Sequence, residues 1–111
     1  MRSLIGVAVG VLVAWPAAAQ DALRCVQVYE VQRGKQCNSS TSLSYRLRNT
    51  CAQAIDMKYC SEERSGRWRC GQWSNTRPNE STSYYICDAT GEYRYWARVA
   101  GSKASFPPDP R

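Results

Sequence analysis

The chain has 111 residues, six cysteines, no histidine and a formal net charge of +6. The absence of histidine excludes serine–histidine–aspartate and cysteine–histidine catalysis. An even number of cysteines in so short a chain predicts a small secreted domain that disulfides stabilise.

The chain begins with a segment that is typical of a secretory leader. Arg2 supplies a positive charge, residues 4–15 are largely apolar, and three alanines precede Gln20. The apolar stretch is shorter than the roughly 20 residues that a membrane anchor needs. We therefore expect a signal peptide at residues 1–19, and a mature protein that is periplasmic or extracellular and has no membrane span.

Beyond the leader, apolar residues recur with a period of two, which is typical of β-strands. The clearest case is Leu43, Tyr45 and Leu47, which alternate with polar residues. Six strands are predicted, at residues 25–31, 43–48, 55–60, 67–70, 81–87 and 93–99. Turn signals lie between them, at Gly34, Gly66, Pro78 and Gly91. The sequence predicts an all-β fold, a small antiparallel β-sandwich or curled sheet of about six strands, stabilised by disulfides.

The same patterns define the domain boundaries. Residues 20–100 are predicted to form a single disulfide-stapled β domain. Residues 101–111 form a Pro-rich C-terminal tail, because Pro107, Pro108 and Pro110 can neither pair in a sheet nor hold a helix. We expect this tail to be loosely ordered, with Phe106 as the residue that attaches it to the domain.

The cysteine count alone leaves the pairing open, since six cysteines can pair in many ways. Strand register favours one set. A hairpin centred on Ser65-Gly66 places Cys60 opposite Cys70. Likewise, Cys25 and Cys51 lie symmetrically about residue 38, which is inside the loop between the first two strands. The preferred disulfides are therefore Cys60–Cys70, Cys25–Cys51 and Cys37–Cys87.

Metal binding and catalysis are not expected. The intervals between cysteines hold 11, 13, 8, 9 and 16 residues, whereas zinc sites favour short spacings and histidine. A catalytic thiol would need an unpaired cysteine beside a base, and no phosphate-binding glycine loop occurs. We predict no metal, no cofactor and no catalytic residues, so the protein is not expected to be an enzyme.

Arginines interleave with tryptophans in two of the predicted strands, a composition typical of binding surfaces and suited to stacking on sugars. The alternative is packing, because arginine stems often cover tryptophan rings and a small core needs large residues such as Trp68, Tyr45 and Tyr95. If a binding face exists, its candidate residues are Arg67, Arg69, Trp73, Arg94, Trp96 and Arg98.

Several short motifs, most of them around cysteines, and a few single residues are spread over residues 25–99. They are Cys25-Val26, Leu47-Arg48-Asn49-Thr50-Cys51, Ile55, Tyr59-Cys60, Trp68-Arg69-Cys70-Gly71, Pro78, Gly91 and Tyr95-Trp96-Ala97. In these motifs the chain resembles a group of small, uncharacterised, cysteine-stapled secreted proteins of Gram-negative bacteria. That resemblance implies a β fold and a location outside the cytoplasm. Asn49-x-Cys51 and Trp96-Ala97-Arg98 also show a faint likeness to the N-terminal hairpins of thaumatin-like proteins.

We expect a monomeric, non-catalytic binding module. The basic charge could serve solubility alone, or it could meet an acidic protein, an envelope glycan or an anionic lipid; nucleic acid is not expected as a partner. One alternative is an inhibitor of a periplasmic or host hydrolase such as lysozyme, and the other is a small secreted toxin or effector. An inhibitor would insert a rigid loop, for which the candidate residues are Glu62, Glu63, Arg64, Ser65 and Gly66.

Overall fold

The computed structural model describes residues 21–111, so the predicted leader at residues 1–19 lies outside the described residues. Within residues 21–111 the protein is all-β, as predicted, with six strands in two three-stranded antiparallel sheets. A short 3-10 turn, Asp21–Cys25, precedes the first strand. The strands are β1 Val26–Arg33, β2 Leu43–Asn49, β3 Ile55–Glu63, β4 Trp68–Thr76, β5 Ser81–Ile86 and β6 Ala89–Val99.

Each sheet has one central strand between two edge strands. Sheet A has the order β1-β2-β5, and sheet B has the order β4-β3-β6. The inward residues of β2, Leu43, Tyr45 and Leu47, are buried together with Met57 of β3 in the core between the sheets. A hydrogen bond of 3.1 Å joins Tyr45 Oη to Ser61 Oγ across this core. The alternation that predicts β2 from the sequence is therefore the alternation between core and solvent.

The C-terminal tail, predicted to be loosely ordered and attached through Phe106, lies against the outer face of sheet B. Central strand β3 is buried on both faces, because its inward residues pack on sheet A and its outward residue Lys58 lies under the tail. Lys58 Nζ donates to the carbonyl of Pro107 at 2.8 Å and pairs with Asp109 at 2.6 Å. Proline lacks an amide donor and cannot join a β ladder, but its carbonyl still accepts a hydrogen bond from a side chain.

Three disulfides join the pairs that strand register favours, Cys25–Cys51, Cys37–Cys87 and Cys60–Cys70. The last of these links directly paired residues of β3 and β4, whose Cα atoms are 4.0 Å apart. A domain of this size buries only a modest core, and each disulfide of this kind contributes about 2–4 kcal/mol to stability.

One predicted turn is wrong. The sequence signal at Gly91 lies inside β6, which begins at Ala89, and the chain instead bends just before that residue, at Asp88. Gly91 has a φ of 101°, and the pairing of β6 with β3 shifts register at this level. Glycine adopts positive φ without a steric penalty, so here it marks a β-bulge and not a reversal of the chain. Among residues 21–111, no helix is long and apolar enough to cross a bilayer.

Candidate functional site

The two sheets leave an open gap, which we call the seam, between the free edges of β4 and β5. These strands are consecutive in the chain and are joined by residues 77–80, but they belong to different sheets and share no ladder. Tyr84 crosses the seam and donates from Oη to the carbonyl of Arg69 at 3.5 Å. Cavities lie at the two ends of the seam.

A cavity of about 400 Å³ lies at the end of the seam nearest residues 77–80. Trp73 forms one wall and is 44% exposed, a large apolar surface to leave in water. Polar residues form the remaining walls; they are Ser74, Asn75, Thr76, Arg77, Glu80, Ser81 and Thr82. An aromatic plane surrounded by hydrogen-bonding groups is the composition expected of a site for a polar, ring-shaped ligand such as a sugar.

Thr82 lines this cavity, but its hydroxyl is itself buried. Its side chain is only 7% exposed, and Oγ1 has no hydrogen-bond partner among the described residues. An unpaired buried hydroxyl costs about 1–3 kcal/mol, and native proteins contain few such groups. Because Oγ1 itself has almost no accessible surface, a ligand in the cavity does not reach it in this conformation.

Asn49 holds the backbone around the cavity in place. Its buried Nδ2 donates to the carbonyl of Thr76 at 2.9 Å, and its Oδ1 accepts from the amide of Cys51 at 2.7 Å. Its main-chain amide donates to the carbonyl of Glu80 at 3.0 Å, and its carbonyl accepts from the amide of Asn79 at 2.7 Å. The ends of β2 and β4 and the link to β5 are thereby tied together, so the cavity has a fixed frame.

A β-bulge in β4 shapes the same cavity. The pairing of β4 with β3 shifts register just after Trp73. Asn75 has a φ of 56°, which asparagine tolerates better than most residues, and its amide donates to Asp56 Oδ1 at 2.8 Å. Because bulges re-aim side chains, this irregularity places Asn75 in the cavity wall beside Trp73.

A second cavity, of about 340 Å³, lies at the other end of the seam. Its lining residues are Glu63, Arg69, Tyr84, Tyr85, Ile86, Cys87 and Asp88. Arg69 pairs with Glu63 at 3.1 Å, and Tyr85 is 55% exposed. Burial raises the pKa of Tyr84, so its hydroxyl remains a hydrogen-bond donor at neutral pH.

The predicted binding residues near β4 border the seam. Arg69 and Trp73 line one cavity each. Arg67 lies just before β4, in the exposed β3–β4 turn, where its carbonyl accepts from the amide of Glu63 at 2.7 Å. The structure therefore brings Arg69 and Trp73 to the same gap, at its opposite ends.

The predicted binding residues of β6 lie on the other side of sheet B. Cys60 pairs with both Cys70 and Arg94, so Cys70 shares a face with Arg94, Trp96 and Arg98, whereas Arg69 and Trp73 face the core side. The six candidates therefore do not form one surface. Strand β6 is distant from β3 and β4 in the sequence, and the sequence pattern does not fix the register between them.

The candidate inhibitory loop forms the exposed end of the β3–β4 hairpin. Gly66 N donates to the carbonyl of Glu63 at 2.8 Å, and Ser65 Oγ donates to Glu63 Oε1 at 3.2 Å. Arg64 lies 3.8 Å from Asp88, and both are exposed. Together with Glu62 at the end of β3, these residues form a tightly hydrogen-bonded turn above the Cys60–Cys70 disulfide.

One group of potential metal ligands lies outside the seam. The ligand atoms of Cys60, Cys70 and Asp109 are within 4.8 Å of one another. The two sulfurs are bonded to each other, however, and a thiolate is the form of cysteine that binds metals. Their proximity to Asp109 instead shows how closely the tail lies over the disulfide.

Sequence reasoning missed the polar residues of the first cavity, including Asn75, Glu80 and Thr82. The turn at Pro78 was a readable signal, but the sequence does not show that this turn joins strands of different sheets. Comparisons of the chain with protein-family models, with curated proteins and with solved structures find no match. The resemblance to small cysteine-stapled secreted proteins therefore stays a prediction.

Proposed function

We propose that the protein is a non-catalytic binding module that recognises an envelope glycan through the seam. The observation that carries this proposal is the cavity beside residues 77–80, which combines the half-exposed ring of Trp73 with a surround of hydrogen-bonding side chains. A sugar ring can stack on the indole while its hydroxyls pair with the surrounding polar groups.

The cysteine chemistry supports a location outside the cytoplasm. Three disulfides are compatible with a periplasmic or extracellular protein, because disulfides persist in oxidising compartments. The net charge of +6 would favour approach to an anionic envelope surface. The cavity favours a glycan over an acidic protein or a lipid because it is small and concave and sets one aromatic ring among hydrogen-bonding side chains.

The arrangement of acids supports binding without catalysis. The first cavity contains one carboxylate, Glu80, which accepts from the amide of Arg77 at 2.8 Å and lies 4.0 Å from its guanidinium. Hydrolysis of a glycosidic bond requires two carboxyl groups that face each other across the sugar. A single carboxylate held by an arginine is better suited to orient a ligand hydroxyl.

Two matched tryptophan substitutions test the proposal. We expect Trp73→Ala to reduce retention on insoluble peptidoglycan or immobilised lipopolysaccharide by about tenfold, in line with the loss of an aromatic anchor. Trp96→Ala, on the far side of sheet B, is expected to leave retention within about twofold. If the unaltered protein is not retained on either glycan, or if both variants lose retention equally, the proposal is contradicted.

A second candidate function, inhibition of a hydrolase, is supported by the β3–β4 hairpin. Cys60–Cys70 links the two strands, and the exposed turn above it contains Arg64, Ser65 and Gly66. A loop that is rigid before binding loses little conformational entropy on entering a cleft. The hairpin and the seam are separate, so the two functions can be distinguished.

The second candidate predicts that purified protein slows lysis in a lysozyme turbidity assay. Replacing residues 62–66 should abolish the inhibition, whereas Trp73→Ala should preserve it. Absence of any effect across a panel of periplasmic and host hydrolases would end this candidate and would leave the glycan proposal standing.

A further inference from the structure

The outer face of sheet B carries a groove that the chain's own C-terminal segment fills. Alternate residues of β3 and β6, paired across the sheet, form this outer groove; they are Asp56, Lys58, Cys60, Arg94, Trp96 and Arg98. Residues 104–109 lie along it. Gly101, with a φ of 81°, and a hydrogen bond of 3.0 Å from Ser102 N to the carbonyl of Val99 form the turn that brings the chain back over the sheet.

Arg98 holds the first part of the segment. It is fixed by Asp56, whose Oδ2 accepts from Arg98 Nε at 3.1 Å. Its Nη1 donates to the carbonyl of Ala104, and its guanidinium lies 4.5 Å from the centre of the Phe106 ring. One arginine thus recognises both a backbone carbonyl and an aromatic side chain of an extended segment.

Lys58 makes the outer groove selective for a negative charge. Its side chain is only 7% exposed, and a buried ammonium needs a partner. The ring of Trp96 lies 5.8 Å from Nζ and offers a cation–π contact without a negative charge. The acid that faces Nζ comes from the segment itself, because Asp109 lies 2.6 Å away.

The outer groove also contains a cation that remains open to solvent. Arg94 is exposed, and its guanidinium lies 4.9 Å from the ring of Trp68. Arg94 pairs with Cys60, at the level where Asp109 approaches the disulfide. An occupant with a further acid beyond the position of Asp109 would gain a contact with this stacked arginine.

We propose that the outer groove is a docking site for an extended, proline-rich, acidic segment of a partner protein, and that residues 104–109 are its resident competitor. Proline restricts the backbone before binding, so such segments dock on aromatic-lined surfaces at a low entropic cost. A tethered occupant acts at an effective concentration on the order of millimolar. A partner therefore needs contacts that the tail lacks, and a second acid that reaches Arg94 supplies one.

Fluorescence anisotropy with a labelled peptide tests this docking site. The probe is residues 103–110 followed by two glutamates, titrated with the full chain and with the double variant Phe106→Ala/Asp109→Asn, which keeps every groove residue. We expect at least about tenfold tighter binding to the variant, because its own tail competes less. Equal affinity for both chains, or no binding to the variant at millimolar concentration, would overturn the proposal.

Matched arginine variants locate the binding. Arg94→Ala should remove the gain in affinity that the two glutamates confer. Arg48→Ala removes an arginine that lies 5.2 Å from the ring of Tyr29 on sheet A and should change nothing. If circular dichroism shows that the double variant is unfolded, the peptide titration of the unaltered chain is the test. Saturable binding that Arg94→Ala weakens supports the site, and absence of such binding overturns it.

Discussion

The outer faces of the two sheets carry the same combination of cations and aromatic rings, yet one is open and the other is covered. On sheet A, Arg46 and Arg48 are exposed and lie 5.6 and 5.2 Å from the ring of Tyr29. On sheet B, Lys58 and Arg98 lie under the Pro-rich tail. The two faces differ because Lys58 of sheet B is buried and pairs with Asp109 of the tail.

This comparison shows why cations interleaved with aromatic residues do not by themselves identify a free binding surface. The pattern occurs on an open face, on a covered face and at the seam. What distinguishes the seam is a cavity in which an exposed ring, Trp73, lies among hydrogen-bonding side chains. The predictions below test the difference between the open, covered and seam regions.

The largest effect is expected from removing disulfides at the two sheets. Cys37–Cys87 closes 50 residues and ties the β1–β2 loop of sheet A, whereas Cys60–Cys70 closes 10 residues within sheet B. The chain-entropy model gives losses of about 4 and about 3 kcal/mol for the paired alanine variants. Urea unfolding measures both values. A larger loss for the Cys60–Cys70 variant would contradict this ranking. It would mean that this disulfide of sheet B, which lies under the tail, contributes more than loop closure alone.

The next effect is expected at the frame of the seam. Asn49→Ala removes two buried hydrogen bonds to backbone carbonyls and one from a backbone amide. Leaving such groups unpaired should cost about 2–3 kcal/mol in the free energy of unfolding. The same variant should weaken retention on glycan, because the carbonyl of Thr76, at the cavity wall, loses its side-chain partner. A loss below about 0.5 kcal/mol would show that the frame does not depend on this side chain.

A smaller difference in the free energy of unfolding is expected between variants on the covered face of sheet B and on the open face of sheet A. Asp109→Asn leaves Lys58 buried without a negative partner, and we expect a loss of about 1–2 kcal/mol. Arg48→Ala, on the open face of sheet A, should cost less than about 0.5 kcal/mol. Thermal or urea unfolding of the two variants provides the measurement. Equal losses would remove the distinction between the faces.

The smallest effect concerns pH and compares the core with the open face. Burial raises the pKa of Tyr45 far above its ordinary value of 10.0, whereas the hydrogen bond with Ser81 lowers the pKa of Tyr29. A raised pKa in the folded state means that the stability contributed by protonated Tyr45 is complete below pH 10 and is lost as the pH rises further. The slope is about 1.4 kcal/mol per pH unit for each such tyrosine.

Unfolding of Tyr45→Phe and Tyr29→Phe between pH 9 and pH 11 checks this expectation. Tyr45→Phe should flatten the alkaline decline, although it also loses the hydrogen bond to Ser61 and starts from a lower stability. Tyr29→Phe should not flatten the decline and should steepen it slightly, because a lowered pKa in the folded state adds stability as the tyrosine ionises. An unaltered slope in Tyr45→Phe would mean that other groups, such as Tyr59 and Tyr84, account for the alkaline loss.

The parts of the structure that the sequence predicts are those set by local patterns. Alternation around Tyr45 locates β2, and the Ser65-Gly66 turn places Cys60 opposite Cys70. Strand β4 is longer than its predicted residues 67–70, because Gly71 and the polar residues after it have a weak strand preference that pairing with β3 overrides. The burial of Lys58 and the position of the tail depend on a contact between residues that are 49 positions apart in the sequence. No local pattern contains that information.

The most direct test of the account is a two-dimensional NMR titration of the unaltered protein with soluble peptidoglycan fragments. The account predicts shifts at the indole N–H of Trp73 and at the amides of residues 75–77 and 79–82, while the amides of residues 104–106 and of Asp109 stay in place. Shifts confined to Trp96 and the tail, or no shifts at saturating fragment concentration, would contradict the assignment of the seam as the glycan site.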